Sequence, residues 1–166
     1  MIIPGREISH EIRKEVKAEI RALKRKTPFG PGLSVILVGD NPASEVYVRN
    51  KVIACSNVGI ASFSHTLPED TKEEKLISLI ESLNQNERVH GILVQWPLPK
   101  QIRWRRVIEV ISPEKDVDGF HPLNVAKLFT DTLSLAPCTP LGIMELLDRV
   151  NIDVQRKNAV IIGASN

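Results

Sequence analysis

An α/β fold built on a parallel sheet is what these 166 residues predict, and three observations carry the expectation. Short, nearly unbroken apolar runs at Leu33–Val38, Gly91–Gln95 and Ala159–Ile162 read as strands covered on both faces. Between them lie longer segments with apolar residues every three or four positions. Strands alternating with helices imply right-handed crossovers and therefore parallel pairing.

The elements follow in order. Ile8, Ile12, Val16, Ile20 and Leu23 form the stripe of an amphipathic helix over Glu7–Lys26. Pro28 to Gly32 breaks it, and Leu33–Val38 ends at Gly39 as the first strand. Asn41 offers an N-cap oxygen and Pro42 a preset first-turn dihedral, so a second helix runs from there to about Asn57, with Gly59 as a left-handed stop. Ala61–Leu67 suits a short second strand. Thr71-Lys72-Glu73-Glu74 has the spacing of a capping box ahead of Leu76, Ile77, Ile80 and Leu83. Gly91–Gln95 is the third strand, stopped by Pro97 and Pro99. Val107, Ile108 and Ile111 mark a helix that ends near Ser112-Pro113. Thr139-Pro140 caps the last helix, which carries Ile143, Leu146, Leu147 and Val150. Ala159–Ile162 then reads as a further buried strand entering a turn at Gly163-Ala164-Ser165, of the kind that brings backbone N–H groups near a phosphate. An edge strand of the first sheet is the other reading of that segment.

Composition bounds the function. Hydrophobic residues make up 42% and charged residues 25%, a globular balance that excludes a disordered chain or a disulfide scaffold. With 22 basic and 20 acidic residues the net charge is +2, which leaves no footprint for nucleic acid. The run Lys24-Arg25-Lys26 reads as a solvated helix end. No apolar run reaches membrane-spanning length, and Met1-Ile2-Ile3 meets Pro4-Gly5-Arg6-Glu7 without the apolar core of a signal peptide. Cys55 and Cys138 lie far apart without metal-ligand spacing and read as reduced thiols, so a cytoplasmic location is expected and a metal site is not.

Three features bear on chemistry. Tyr47 and Lys51 are four apart on the second helix and share a face beside the apolar stripe of Val48, Val52 and Cys55. A lysine at that boundary either reaches out to solvent or loses hydration and becomes able to trade protons near neutral pH. Gln95 interrupts an apolar run at the carboxyl end of a parallel strand, where open α/β sheets bind ligands. Its amide needs partners, either a ligand or catalytic side chain, or a neighbouring loop backbone. Asp116-Val117-Asp118-Gly119 places two carboxylates on a tight loop, a spacing shared by turns, metal loops and heterocycle-binding sites. His121, Cys138, Trp96 and Trp104 read as packing or loop residues.

Four segments now act together: Tyr47-Val48-Arg49-Asn50-Lys51, Gly91 to Pro99, Ser112 to Pro122, and Pro137-Cys138-Thr139-Pro140-Leu141-Gly142. In this order and at these intervals they closely resemble the bifunctional methylenetetrahydrofolate dehydrogenase/cyclohydrolase family in its bacterial form, over essentially the whole chain. The resemblance implies NADP-dependent oxidation of 5,10-methylenetetrahydrofolate to the methenyl form, then hydrolysis to 10-formyltetrahydrofolate. Both steps would occur in a cleft between a catalytic domain and a Rossmann-type cofactor domain. Carried over by motif, Lys51 would move protons in the hydrolytic step and Gln95 would hold and tune it. Tyr47 would stack on the aminobenzoate ring, and Asp118 would hydrogen-bond the pterin. A planar cationic intermediate wants an aromatic platform, and a pterin amidine edge wants a carboxylate acceptor.

The resemblance also implies an organisation. Residues 1–139 would be the folate-binding catalytic domain, 140–156 a linker helix and loop, and 157–166 the start of a truncated NADP-binding domain. Gly163, Ala164 and Ser165 would open the loop that touches the NADP phosphates, leaving that site incomplete, and full-length members imply a homodimer. Trp96 stands where a Leu is usual, Pro4 where an Asp is common, and Arg103-Trp104-Arg105-Arg106 is unusually basic. The competing expectation is a non-catalytic truncated paralogue serving as a folate-binding or interaction module.

Overall fold

The computed structural model describes residues 2–27, 29–130, 132 and 135–163. The elements are α1 Gly5–Leu23, β1 Gly32–Val38, α2 Pro42–Val58, β2 Ala61–Leu67, α3 Glu73–Asn84, β3 Gly91–Val94, α4 Trp104–Val110, α5 Pro122–Leu128 and α6 Cys138–Arg149. The three strands form one parallel sheet in the order β2-β1-β3, with Gly32 to Val38 opposite Ala61 to Leu67, and Leu33 to Ile36 opposite Gly91 to Val94. The central strand is the most buried, as expected for a strand paired on both edges and covered on both faces.

Side chains alternate along β1 and β3, so each strand feeds two layers. Ile36, Val38 and Ile92 point into a core closed by Leu76, Ile77, Ile80 and Leu83 of α3 and Val107 of α4. On the other face α2 packs over β1 and β2 and is backed by α1. Beside β3 that face stays open, and the cleft described below lies there. The loop after α4 extends the sheet by one bond, with Ile92 N donating to Lys115 O at 2.7 Å. A Cβ on Gly91 would strike Val117, so the loop comes this close because residue 91 lacks one.

Asn41 caps α2 through its Oδ1, which accepts from Ala43 and Ser44 N–H, and Gly59 ends the helix at φ 97°. The capping box expected at Thr71 does not form. α3 begins one residue later, with Lys72 at the N-cap, and the Thr71 hydroxyl is buried without a partner. Glu73 sets that register. Its buried carboxylate accepts from the Arg103 backbone N–H at 2.7 Å and its guanidinium at 2.6 Å, and from Arg106 at 2.7 Å, clamping the start of α4 to the start of α3.

Two further differences separate fold from expectation. The sequence pattern names no element over α5, yet a helix forms there: His121 Nδ1 accepts from Leu123 N and Pro122 presets the first turn. The Ala159–Ile162 run forms no strand. Val160, Ile161 and Ile162 are 87% to 98% exposed, because among the described residues no strand lies beside them to pair with. α6 starts at Cys138, with Pro137 rather than Thr139 at its N-cap, and folds back on α1 where Arg149 binds Glu15 in bidentate fashion. No helix among the described residues is long and apolar enough to cross a membrane.

Candidate active site

α2 buries Ser44, Cys55 and Val58, and Val48 and Lys51 lie on the same stripe at spacings of three and four. A serine and a lysine therefore occupy positions that an ordinary amphipathic helix gives to apolar residues. Lys51 projects towards β3, where its Nζ donates to Gln95 Oε1 at 3.2 Å. Gln95 sits just past β3, still tied to the ladder by its N–H to Ile36 O at 2.8 Å. Its Nε2 donates to the carbonyl of Trp96 at 2.8 Å. Only one amide orientation suits both partners, since a lysine offers only donors and a carbonyl only an acceptor. One end of the amide thus meets backbone and the other meets Lys51.

The cleft between α2 and β3 has a volume of about 940 Å³, and Tyr47, Lys51, Gln95 and Asp118 all line it. Tyr47 is 62% exposed, with its ring open to a ligand. The two carboxylates of the tight loop divide their work. Asp116 is buried and accepts from the N–H groups of Gly119 and His121 and from Asn124 Nδ2, at 2.7 to 3.1 Å. It holds the loop's shape, while Asp118 is left to face the cleft. Burial pushes the Asp118 carboxyl above the ordinary carboxylate range; the Lys51 cation opposes the rise and Asp116 adds to it.

Sequence reasoning assigned no site role to Ser44 or Cys138, and of Trp96 it noted only the replacement of a usual Leu, a change able to alter the shape of the pocket. Ser44 Oγ donates to the Trp96 carbonyl at 3.3 Å, joining α2 to the strand end that carries Gln95. The Trp96-Pro97 peptide is cis. Cys138 lines the cleft at the start of α6, and its Sγ donates to Val117 O at 3.1 Å, tying α6 to the Asp118 loop. Burial of the thiol raises its pKa, and neighbouring Asp118 adds to the rise. Gly119 permits this approach: at φ 71° a Cβ would lie 2.6 Å from the Ala136 carbonyl carbon. Spacing from Lys51 along the buried stripe was the one sequence signal that pointed to Ser44. No group of three or more His, Cys, Asp or Glu among the described residues is placed to hold a metal ion.

Gly163 does not reach this cleft and stands in open space, while Ala164 and Ser165 lie outside the described residues.

Residues 3–118 match the family model described as tetrahydrofolate dehydrogenase/cyclohydrolase, catalytic domain. The chain belongs to the tetrahydrofolate dehydrogenase/cyclohydrolase family. Residues 137–166 match that family's NAD(P)-binding domain. The bifunctional protein FolD of Magnetococcus marinus is 52% identical over 165 residues, covering 99% of this chain and 58% of the relative. That of Legionella pneumophila strain Corby is 53% identical with the same coverage. Among solved structures, the bifunctional enzyme FolD of Campylobacter jejuni superposes with a TM-score of 0.96 at 46% identity, over 99% of this chain and 58% of its own. The Trypanosoma brucei enzyme, described as complexed with NADP cofactor and inhibitor, gives a TM-score of 0.90 at 36% identity, over 95% of this chain and 54% of its own. The chain thus spans 58% of the length of these curated tetrahydrofolate dehydrogenase/cyclohydrolase relatives.

Proposed function

We propose that the cleft binds a tetrahydrofolate derivative and hydrolyses 5,10-methenyltetrahydrofolate to 10-formyltetrahydrofolate. In the whole protein the same cleft would serve the preceding NADP-dependent oxidation of the methylene form. The observation that carries the reading is the Lys51 to Gln95 hydrogen bond inside a cleft that also presents Tyr47 and Asp118. Membership of the family supports it.

Each residue has a task that its chemistry fits. Lys51 has N–H donors beyond the one given to Gln95 and can pass a proton to or from the attacking water and the ring nitrogen. Gln95, fixed by the Trp96 carbonyl, keeps Lys51 aimed into the cleft. Tyr47 offers a flat face to the aminobenzoyl ring, and Asp118 accepts from the N–H edge of the pterin. NADP would supply hydride acceptance when bound. We carry the division into a folate domain over 1–139, a linker over 140–156 and a cofactor-domain start from 157 as part of this reading, together with a homodimer and a cytoplasmic location.

Calorimetric titration with 5-formyltetrahydrofolate tests the binding half of the proposal. Tyr47→Ala should weaken binding about tenfold, the loss expected for one good aromatic contact of roughly 1.4 kcal/mol. Absence of binding, or equal affinity in wild type and Tyr47→Ala, overturns it.

A further inference from the structure

The Trp96 carbonyl holds Gln95, but the Trp96 side chain has no part in the reaction as proposed, and the position of that side chain is unusual. Trp96 follows Gln95 at the carboxyl end of β3 and remains 46% exposed. It lines two spaces at once, the main cleft and a chamber of about 40 Å³ behind it. Among the described residues, Asp118 is the other one that lines both. The indole and the carboxylate therefore stand at the same end of the cleft, with Tyr47 lining the main cleft alone.

The indole is braced. Trp104, the first residue of α4, packs behind it with ring centroids 5.9 Å apart and planes at 41°. The Arg105 guanidinium lies 5.8 Å from the Trp104 ring. On the backbone side, Ser44 Oγ and Gln95 Nε2 both hold the Trp96 carbonyl. An aromatic surface fixed before a ligand arrives loses little freedom when it is covered. The chamber beyond is small, with room for about one water.

A carboxylate that accepts from the edge of a heterocycle fixes that ring's plane but leaves its faces uncovered. We propose that Trp96 is a specificity-determining residue that packs against the fused bicyclic ring of the folate at the Asp118 end of the cleft, leaving the aminobenzoyl half to Tyr47. The inference rests on the folate reading above and adds a second aromatic contact to it.

The test compares three probes by calorimetry on the full chain: folic acid, pterin-6-carboxylate, which keeps only the bicyclic ring, and p-aminobenzoylglutamate, which lacks it. Trp96→Leu should weaken the first two about tenfold and change the third less than twofold. Trp96→Phe, which keeps an aromatic face, should recover most of the loss and covers the case in which the leucine variant folds poorly. Folic acid binding that Trp96→Leu leaves unchanged, or a loss equal for all three probes, overturns the proposal. If folic acid binding depends on Tyr47 but not on Trp96, this inference alone falls; if folic acid does not bind wild type, the folate reading falls with it.

Discussion

Asp116 and Asp118 are two residues apart and serve opposite ends. Asp116 satisfies three N–H donors in the interior of its loop, and Asp118 is kept partly desolvated at the cleft wall. The sign of the second effect is testable. A carboxyl whose pKa is raised in the fold is more easily ionised in the unfolded chain, so its ionisation costs stability as pH rises from the usual Asp value, about 3.9, through the folded one. Asp118→Asn cannot ionise. Thermal unfolding should therefore give the variant a higher Tm than wild type at pH 7, with the gap closing below about pH 3.5. A lower Tm at pH 7, or a gap independent of pH, contradicts the assignment. Spacing alone could not tell the two apart, because a tight loop with two carboxylates carries the same signal whichever one is buried; only the family resemblance singled out Asp118. Lys51 and Gln95 were legible for a better reason: each is a polar residue set against an apolar pattern. Cys138 and Ser44 were not, since small side chains pass as filler until their partners across the cleft are seen.

At the scale of elements, most of the pattern was legible because it was local. Asn41, Pro42 and Gly59 bound α2 through contacts within a turn. Where a distant residue overrides the local signal, the reading fails. Thr71 and Glu74 are spaced for a capping box, but Arg103 and Arg106, some thirty positions on, engage Glu73 and set the helix start. That clamp has a pH signature of the opposite sign to Asp118. Hydrogen bonds from the Arg103 guanidinium and then its backbone N–H bring the Glu73 carboxyl down to about 2. A depressed carboxyl contributes stability above the usual Glu range, near about 4.3, and loses it as pH falls through the folded value. Glu73→Gln should lower Tm at pH 7, and the difference from wild type should shrink as pH falls from 4 towards 2. An undiminished difference at pH 2 would show that shape rather than charge holds α3 to α4. α5 went unread because it is only seven residues long and its cap is a histidine, an uncommon donor-accepting residue at that position.

For the whole molecule, the β2-β1-β3 order explains why a site lies where it does. α2 crosses one face from β1 to β2, and α3 covers the other on the way to β3, so the face beside β3 is left as a groove. The loop at 116–119 and the start of α6 close its far wall through Gly91, Gly119 and Cys138. Parallel pairing was implied by the alternation of elements; the strand order and the groove were not, because they depend on contacts between residues distant in sequence, such as Lys51 with Gln95 and Cys138 with Val117. The Ala159–Ile162 run shows the same limit, since an apolar strand pattern states what a segment can pair with and not whether a partner lies beside it. The central claim is that this groove does hydrolytic chemistry through Lys51. Its most direct measurement is the loss of 5,10-methenyltetrahydrofolate absorbance on mixing with the purified 166-residue chain, against buffer and against Lys51→Ala. Enzymatic hydrolysis that falls by roughly 10² to 10⁴ in Lys51→Ala is the predicted result, and hydrolysis no faster than buffer, or equally fast in both proteins, would contradict it.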